Sequence, residues 1–412
     1  AMRAHPSKAI MAFMRAVLVG AAVGAAAAFA PSAMPGTAMR SRAATAGVQL
    51  RSAPSVRRAQ AGPVMMADDA AFGASHTSFY TSAVAKDSYA TIDDILTTKM
   101  ADEGVREVVT EMLAACVKIT EALRVNLVTV ADAQNSVFGD VQLGVDVLAD
   151  ELMWEACKAS KLVREGASEE EPVMVETNKD GRFTICWDPL DGSSIVDNNW
   201  AVGTMIGIWD KTTGMLGATG RDQVTSIIVL YGPRTTALVA CDDGVYEFTC
   251  GEGNKWFASK ERIQIKAESK IFSPANMRAA QEDKGYKELL DYWMDERYTL
   301  RYTGGLVPDV YQFFTKEMGV FANPTAPKSP AKLRVAFEVA PIGLLVERAG
   351  GKTSDGVSGL SVLDIRIEKV DQRTAACLGS ANEVDRFNEV VLNLTLGTRR
   401  HPGRMSESTL GA

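Results

Sequence analysis

The stretch Trp187-Asp188-Pro189-Leu190-Asp191-Gly192-Ser193-Ser194 concentrates residue types that suit metal-assisted phosphoryl transfer. Two carboxylates three residues apart straddle a proline, and a Gly-Ser-Ser turn follows at once. Asp188 and Asp191 can converge on one hard cation, with the Leu190 carbonyl as a further oxygen ligand. Successive N–H groups through Gly192, Ser193 and Ser194 can form an anion-binding nest. An isolated Asp-Gly is most often an ordinary surface turn, so the weight rests on the whole octet. Other chemistries are poorly provided for. The three histidines, His5, His76 and His401, all lie near the ends, which argues against a Ser-His-Asp triad or a His-rich metal site. Six scattered cysteines with no CxxC argue against a disulfide framework or a zinc site. Any metal must therefore be held by oxygen.

These residues need elements to hold them. Apolar residues recur at helical spacing over 93–125 (Val105, Val108, Val109, Met112, Leu113, Cys116, Val117, Leu123), and a second amphipathic helix is expected over 141–163. The polar, acidic stretch 164–182 reads as a loop. Strands are expected at 183–188, stopping at Pro189, and at 204–209 and 226–231. A hairpin follows around Asp243-Gly244, with Cys241 opposite Tyr246 and Cys250 opposite Ala237. Beyond Lys260 helix and strand mix, with a helix at 307–318 and another ending at Gly350-Gly351. There is no internal repeat. The fold class is α/β, with two adjoining sub-domains at 74–264 and 265–395 and a tail at 396–412.

Charge is distributed unevenly. Residues 1–67 hold eight Lys and Arg and no acid; the 36 basic and 51 acidic residues of the rest give it −15. A body that acidic is a poor partner for nucleic acid. The leader has Arg3, Lys8 and Arg15, an apolar run from Ala16 to Ala30, and then an acid-free Ala/Ser/Arg/Pro stretch. That is the pattern of a signal peptide followed by a transit peptide, with a disordered basic tail as the alternative, and the run is short for a membrane span. The mature form is expected to have no membrane segment.

DPLDGSS resembles the signature of the lithium-sensitive, magnesium-dependent sugar and inositol phosphatases. The continuation IVDNNWAVGTMIGIW is similar to the heptulose-bisphosphatase branch of the fructose-1,6-bisphosphatase family. The resemblance continues in RDQV (221–224), YGPRTT (231–236), YTLRYTGGLVPDV (298–310), KLRVAFEVAPIGLLVERAGG (332–351) and SVLD (361–364). It implies a layered α+β form of alternating α-β-α-β-α layers, with metal and phosphate bound by sub-domain 74–264 and sugar by 265–395. It also implies two or three Mg²⁺ per site, with Mn²⁺ as a substitute. The implied ligands are Glu169, Glu170, Asp188, Asp191, Glu338 and the Leu190 carbonyl, with Glu171 as the alternative to one of the glutamates. Asp140 and Asp146 match two further carboxylates, although Asp140 also suits a helix cap.

The implied reaction is in-line attack of water on the 1-phosphate of sedoheptulose 1,7-bisphosphate, in the Calvin cycle. Asp146 and Glu170 would take the proton, and Asp191 would hold two metals together. Gly192, Ser193 and Ser194 would bind the phosphate. Asn276, Arg301, Tyr302, Leu306, Lys332 and Arg334 would line the sugar bisphosphate pocket, with Arg301 reaching into a neighbouring subunit of a homo-oligomer. Asn323 stands where the six-carbon enzymes place a tyrosine. The alternatives are a six-carbon or dual-specificity bisphosphatase, or an inactive relative. The tandem leader resembles those of complex algal plastids, with Phe29 near the cleavage point, and implies a plastid stroma. The plant-type regulatory Cys pair falls on Thr129 and Gln134, so thioredoxin control through it is not expected.

Overall fold

The structure, a computed structural model, describes residues 89–131, 138–210 and 214–394, without side chains for 126–143. The expected leader, the tail from 395 and the Thr129 and Gln134 side chains lie outside the described residues.

The helical stretch expected over 93–125 is two helices, α1 (Ile92–Lys99) and α2 (Glu103–Ala131). Thr91 caps the first through a reciprocal pair with Asp94, and the Asp102 carboxylate accepts the Val105 N–H at 3.1 Å to start the second. The next helix, α3, spans Phe138–Ala159, ending before 163. The stretch expected to be a loop contains β1 (Val163–Ser168) and β2 (Val175–Glu176). VREGAS shows no apolar alternation; β1 exists because it pairs in parallel with β3 (Phe183–Asp191).

The remaining strands of this sheet are β4 (Val202–Asp210), β5 (Gln223–Tyr231), β6 (Thr235–Cys241), β7 (Gly244–Cys250) and β8 (Trp256–Ile263). The order is β2-β1-β3-β4-β5-β6-β7-β8, antiparallel from β3 onward. The 243–244 hairpin forms with a tighter register than expected. Cys241 faces Gly244, Ala237 faces Phe248, and Cys250 faces Trp256, because only Asp242 and Asp243 make the turn.

The second half contributes α4 (Lys284–Asp295), α5 (Leu306–Lys316), α6 (Ala340–Arg348) and α7 (Ala381–Val390). Its strands are β9 (Ile271–Pro274), β10 (Thr299–Leu300), β11 (Val320–Asn323), β12 (Leu333–Arg334), β13 (Lys352–Ser354), β14 (Arg373–Thr374) and β15 (Ala376–Gly379). Five form a sheet ordered β10-β9-β11-β15-β13, and β12 pairs with β14.

The period-2 alternation of strands sorts residues into layers. Ile227 and Val229 pack with α1–α3 on one face of the large sheet, whereas Ile228 faces α5 and α6 on the other. Phe321 and Leu378 close that middle layer, while Val320, Ala322 and Cys377 face α4 and α7. The order is therefore helix, sheet, helix, sheet, helix. Among the described residues no helix is long and apolar enough to cross a membrane.

Candidate active site

β3 does not stop at Pro189. It runs on to Asp191 through a bulge: Asp188 pairs with Met205 and Asp191 with Gly203, so three steps on β3 match two on β4. A bulge tolerates the missing proline N–H. The freed Pro189 carbonyl accepts the Thr204 hydroxyl at 2.8 Å, and that hydroxyl also lies 2.7 Å from the Tyr231 hydroxyl. The extra residue resets the alternation. Trp187 and Leu190 point into the helical layer of α1–α3, while Asp188 and Asp191 share the opposite face. Gly203 must be glycine there, since a Cβ would lie 2.4 Å from Val307.

Both oxygens of Asp191 are engaged: they accept the N–H groups of Leu306 at 3.0 Å and Val307 at 2.6 Å, at the start of α5. Asp188 is 3% exposed and takes the Leu190 N–H at 3.0 Å. Glu338 comes from a single π turn (Val335–Val339) that leads into α6, and it accepts the Arg334 N–H. Glu169 follows β1, its N–H bonded to the Trp187 carbonyl at 3.0 Å, which sets it beside Asp188. The Arg334 guanidinium pairs with Glu169 and lies 3.9 Å from Glu338. From the other side, α3 supplies Asp146, hydrogen-bonded to Ser193, with a buried Oδ1 that has no partner. Gly192 turns the chain at φ +89°, and Ser193 and Ser194 open a 3₁₀ turn.

Burial and crowding of like charge push these acids upward together. Burial raises Asp146 to about 7, aided by Glu170 and Glu169. Burial lifts Asp191 to about 7 against its two backbone bonds, and Glu338 to about 8 with Glu169 adding repulsion. Asp188 is driven well above the carboxylate range by burial, Glu169, Asp191 and Glu338; Glu170 is also raised, mainly by burial. Such a set calls for a cation, and its donors are the hard oxygens that Mg²⁺ or Mn²⁺ accept, so the residues fit a divalent metal. As the side chains stand, no three carboxylates form a closed cage among the described residues. Asp191 is turned to the α5 amides and Glu169 to Arg334.

Glu171 is exposed, and its backbone closes the turn: its N–H bonds to Ser168 Oγ at 2.9 Å and its carbonyl accepts the Ser168 N–H. The Asp140 side chain lies outside the described residues. Of the expected sugar-pocket residues, Leu306 is buried at the start of α5, and Tyr302 lies near enough to Asp191 and Asp309 for both to raise its hydroxyl, after burial. Lys332 is exposed. Asn276 instead ties loops together, donating to the carbonyls of Pro324 and Ser329, both at 2.8 Å. Arg301 is exposed, its guanidinium donating to its neighbour's carbonyl at 3.4 Å.

Sequence reasoning missed Asp309, 1% exposed, which holds the Thr303 and Gly304 N–H groups at 2.7 and 3.2 Å. The signal was present, a single acid on the apolar face of α5.

A layered sugar-phosphatase architecture carrying a carboxylate cluster beside a glycine–serine turn defines the class. The profile for the fructose-1,6-bisphosphatase N-terminal domain matches residues 104–261 and that for the C-terminal domain 265–392, and the chain belongs to this family. Within it, the chain is 48% identical over 260 residues to the chloroplastic sedoheptulose-1,7-bisphosphatase of Spinacia oleracea, covering 62% of this chain and 66% of that protein, just under two thirds. It is 44% identical over 317 residues to the Chlamydomonas reinhardtii enzyme of the same name, covering 76% and 79%. A Toxoplasma gondii crystal structure assigned to sedoheptulose-1,7-bisphosphatase superposes with a TM-score of 0.67 at 42% identity, covering 74% of this chain and 99% of that one. Leishmania major fructose-1,6-bisphosphatase in its holo form gives 0.66 at 25%, covering 73% and 98%.

Proposed function

We propose that the protein is a magnesium-dependent bisphosphatase that hydrolyses the 1-phosphate of sedoheptulose 1,7-bisphosphate to sedoheptulose 7-phosphate in the Calvin cycle of a plastid. The observation that carries this reading is the bulge at Pro189, which sets Asp188 and Asp191 on one face beside Glu338 and the Gly192 turn. Glu169, Glu170, Asp188, Asp191, Glu338 and the Leu190 carbonyl are the residues that would hold Mg²⁺. Bound there, the cation would supply Lewis acidity toward the phosphoryl oxygens and acidify water.

The chain's own groups do the rest. Asp146, with its unpartnered buried oxygen and a carboxyl near neutrality, suits removal of a proton from the attacking water, with Glu170 beside it. The Gly192 N–H, Ser193 and Ser194 receive the 1-phosphate, while Arg334, Lys332 and Tyr302 face the sugar and distal phosphate. Asn276 shapes that pocket through its loop bonds.

Hydrolysis of the six-carbon bisphosphate is the second reading. Identity to fructose-1,6-bisphosphatases, 38% for the Pelobacter propionicus protein, is lower than to the heptulose enzymes, which favours the first. Side-by-side kcat/KM on the two sugar bisphosphates with Mg²⁺ tests it: a clear preference for the six-carbon ester would overturn the substrate assignment. The active form is a homo-oligomer in which Arg301 reaches a neighbouring pocket, and light scattering of a fully active monomer would refute that. The bipartite leader and a sub-domain division near 264 belong to the same proposal. Import of a leader–reporter fusion into plastids tests the former.

A further inference from the structure

Asp150 is a buried carboxylate outside the candidate ligand set, 8% exposed, one helical turn beyond Asp146. Its Oδ1 accepts the Trp187 indole N–H at 2.8 Å and its Oδ2 the Trp154 indole N–H at 3.0 Å. The Ser168 hydroxyl faces it too, near enough to favour its carboxylate against the burial that raises it. The two indoles meet edge to face, centroids 4.6 Å apart, and a Cβ on Gly166 would lie 2.8 Å from the Trp187 ring, so this residue is glycine to admit it.

Each partner belongs to a different part of the site. Trp154 lies on the helix that carries Asp146. Trp187 immediately precedes Asp188. Ser168 precedes Glu169 and Glu170, and its Oγ accepts the Glu171 N–H that closes their turn. We infer that Asp150 is a positioning residue: one buried carboxylate fixes the three segments that present the acidic ligands relative to one another. The arrangement is geometric. A carboxylate can accept on both oxygens at once, whereas an amide of the same shape would set its N–H₂ against one of the indole donors. Outer groups that orient ligands typically change metal affinity by 10- to 100-fold when altered.

This inference rests on the metal-dependent reading, and its test separates the two. Mn²⁺ binding to the full chain, followed by the loss of the free-ion electron paramagnetic resonance signal, is measured beside circular dichroism and thermal unfolding. The parent protein failing to bind Mn²⁺ would remove the metal-dependent reading and the inference with it. With the parent binding, Asp150→Asn is expected to keep its helix content and weaken Mn²⁺ binding by about tenfold. A merely structural residue would lower the unfolding temperature and leave that affinity within twofold, which overturns the inference. Should Asp150→Asn fail to fold, Trp154→Phe keeps an aromatic ring against Trp187 but removes one indole donor from Asp150. Weaker Mn²⁺ binding there supports the role, and unchanged binding overturns it.

Discussion

Asp191 accepts the N–H of Val307 at 2.6 Å, so a carboxylate of the candidate metal site is also the cap of α5. Its neighbour Asp188 caps no helix; it holds the single N–H of Leu190 within its own bulge and sits buried against Glu169 and Glu338. The two substitutions should therefore part company. Asp188→Ala and Asp191→Ala are both expected to lose several orders of magnitude in turnover, since the cation loses a ligand. Measured at pH 5, below the range in which the buried carboxylate itself costs stability, Asp191→Ala should also lower the unfolding temperature of the metal-free protein more than Asp188→Ala does, through a cap loss of roughly 1–2 kcal/mol. Calorimetry in EDTA beside a phosphate-release assay reads both, and turnover within tenfold of the parent in either variant would remove the site.

The raised acids predict a pH dependence with a definite sign. Asp146 and Asp191 titrate near 7 and Glu338 near 8 in the fold, against 3.8, 3.8 and 4.5 for free side chains. The folded chain thus keeps protons that the unfolded chain has lost. The associated stability is complete below about pH 4 and disappears as pH rises through 7 to 8, at about 1.4 kcal/mol per unit of displacement. The three histidines lie near the ends and outside the described residues. The unfolding temperature in EDTA should fall from pH 5 to 8, and the gain on adding Mg²⁺ should widen over the same range. A gap independent of pH would contradict the cluster.

Arg334 covers Glu169 and stands 3.9 Å from Glu338, so it holds the place of positive charge at the site's edge. Arg334→Ala is expected to raise KM for the bisphosphate about tenfold, the weight of one charge-assisted bond. Half-saturating Mg²⁺ should fall, because Glu169 is released. An unchanged KM would take Arg334 out of the substrate pocket.

Much of this site is local in the chain and therefore legible there: the octet at 187–194 puts two ligands and the phosphate turn within eight residues. The layered fold followed from resemblance alone: Ile227-Ile228-Val229 is an unbroken apolar run, and only the packing assigns Ile228 to one face and its neighbours to the other. What escaped depends on partners distant in sequence. β1 is a strand only because β3 lies beside it. Pro189 reads as a stop until β4 provides the bulge and Thr204 the hydrogen bond. The Asp150 junction joins positions 150, 168 and 187, and no spacing rule links them.

The last prediction concerns redox control. The hairpin register places Cys241 opposite Gly244 and Cys250 opposite Trp256, so they are not cross-strand partners. All six thiols are unbridged, five of them buried. Burial pushes Cys116 and Cys241 up to about 12, and Cys157, Cys186 and Cys377 are also raised by it. The thiolate is the attacking species in disulfide exchange, so such groups react slowly. Only Cys250 is partly exposed, and a single accessible thiol cannot close an internal bridge. Air-oxidised and dithiothreitol-treated protein should therefore hydrolyse substrate at the same rate, within about twofold. A large, reversible activation by reduced thioredoxin would refute this, and peptide mapping of the oxidised form would identify the pair responsible.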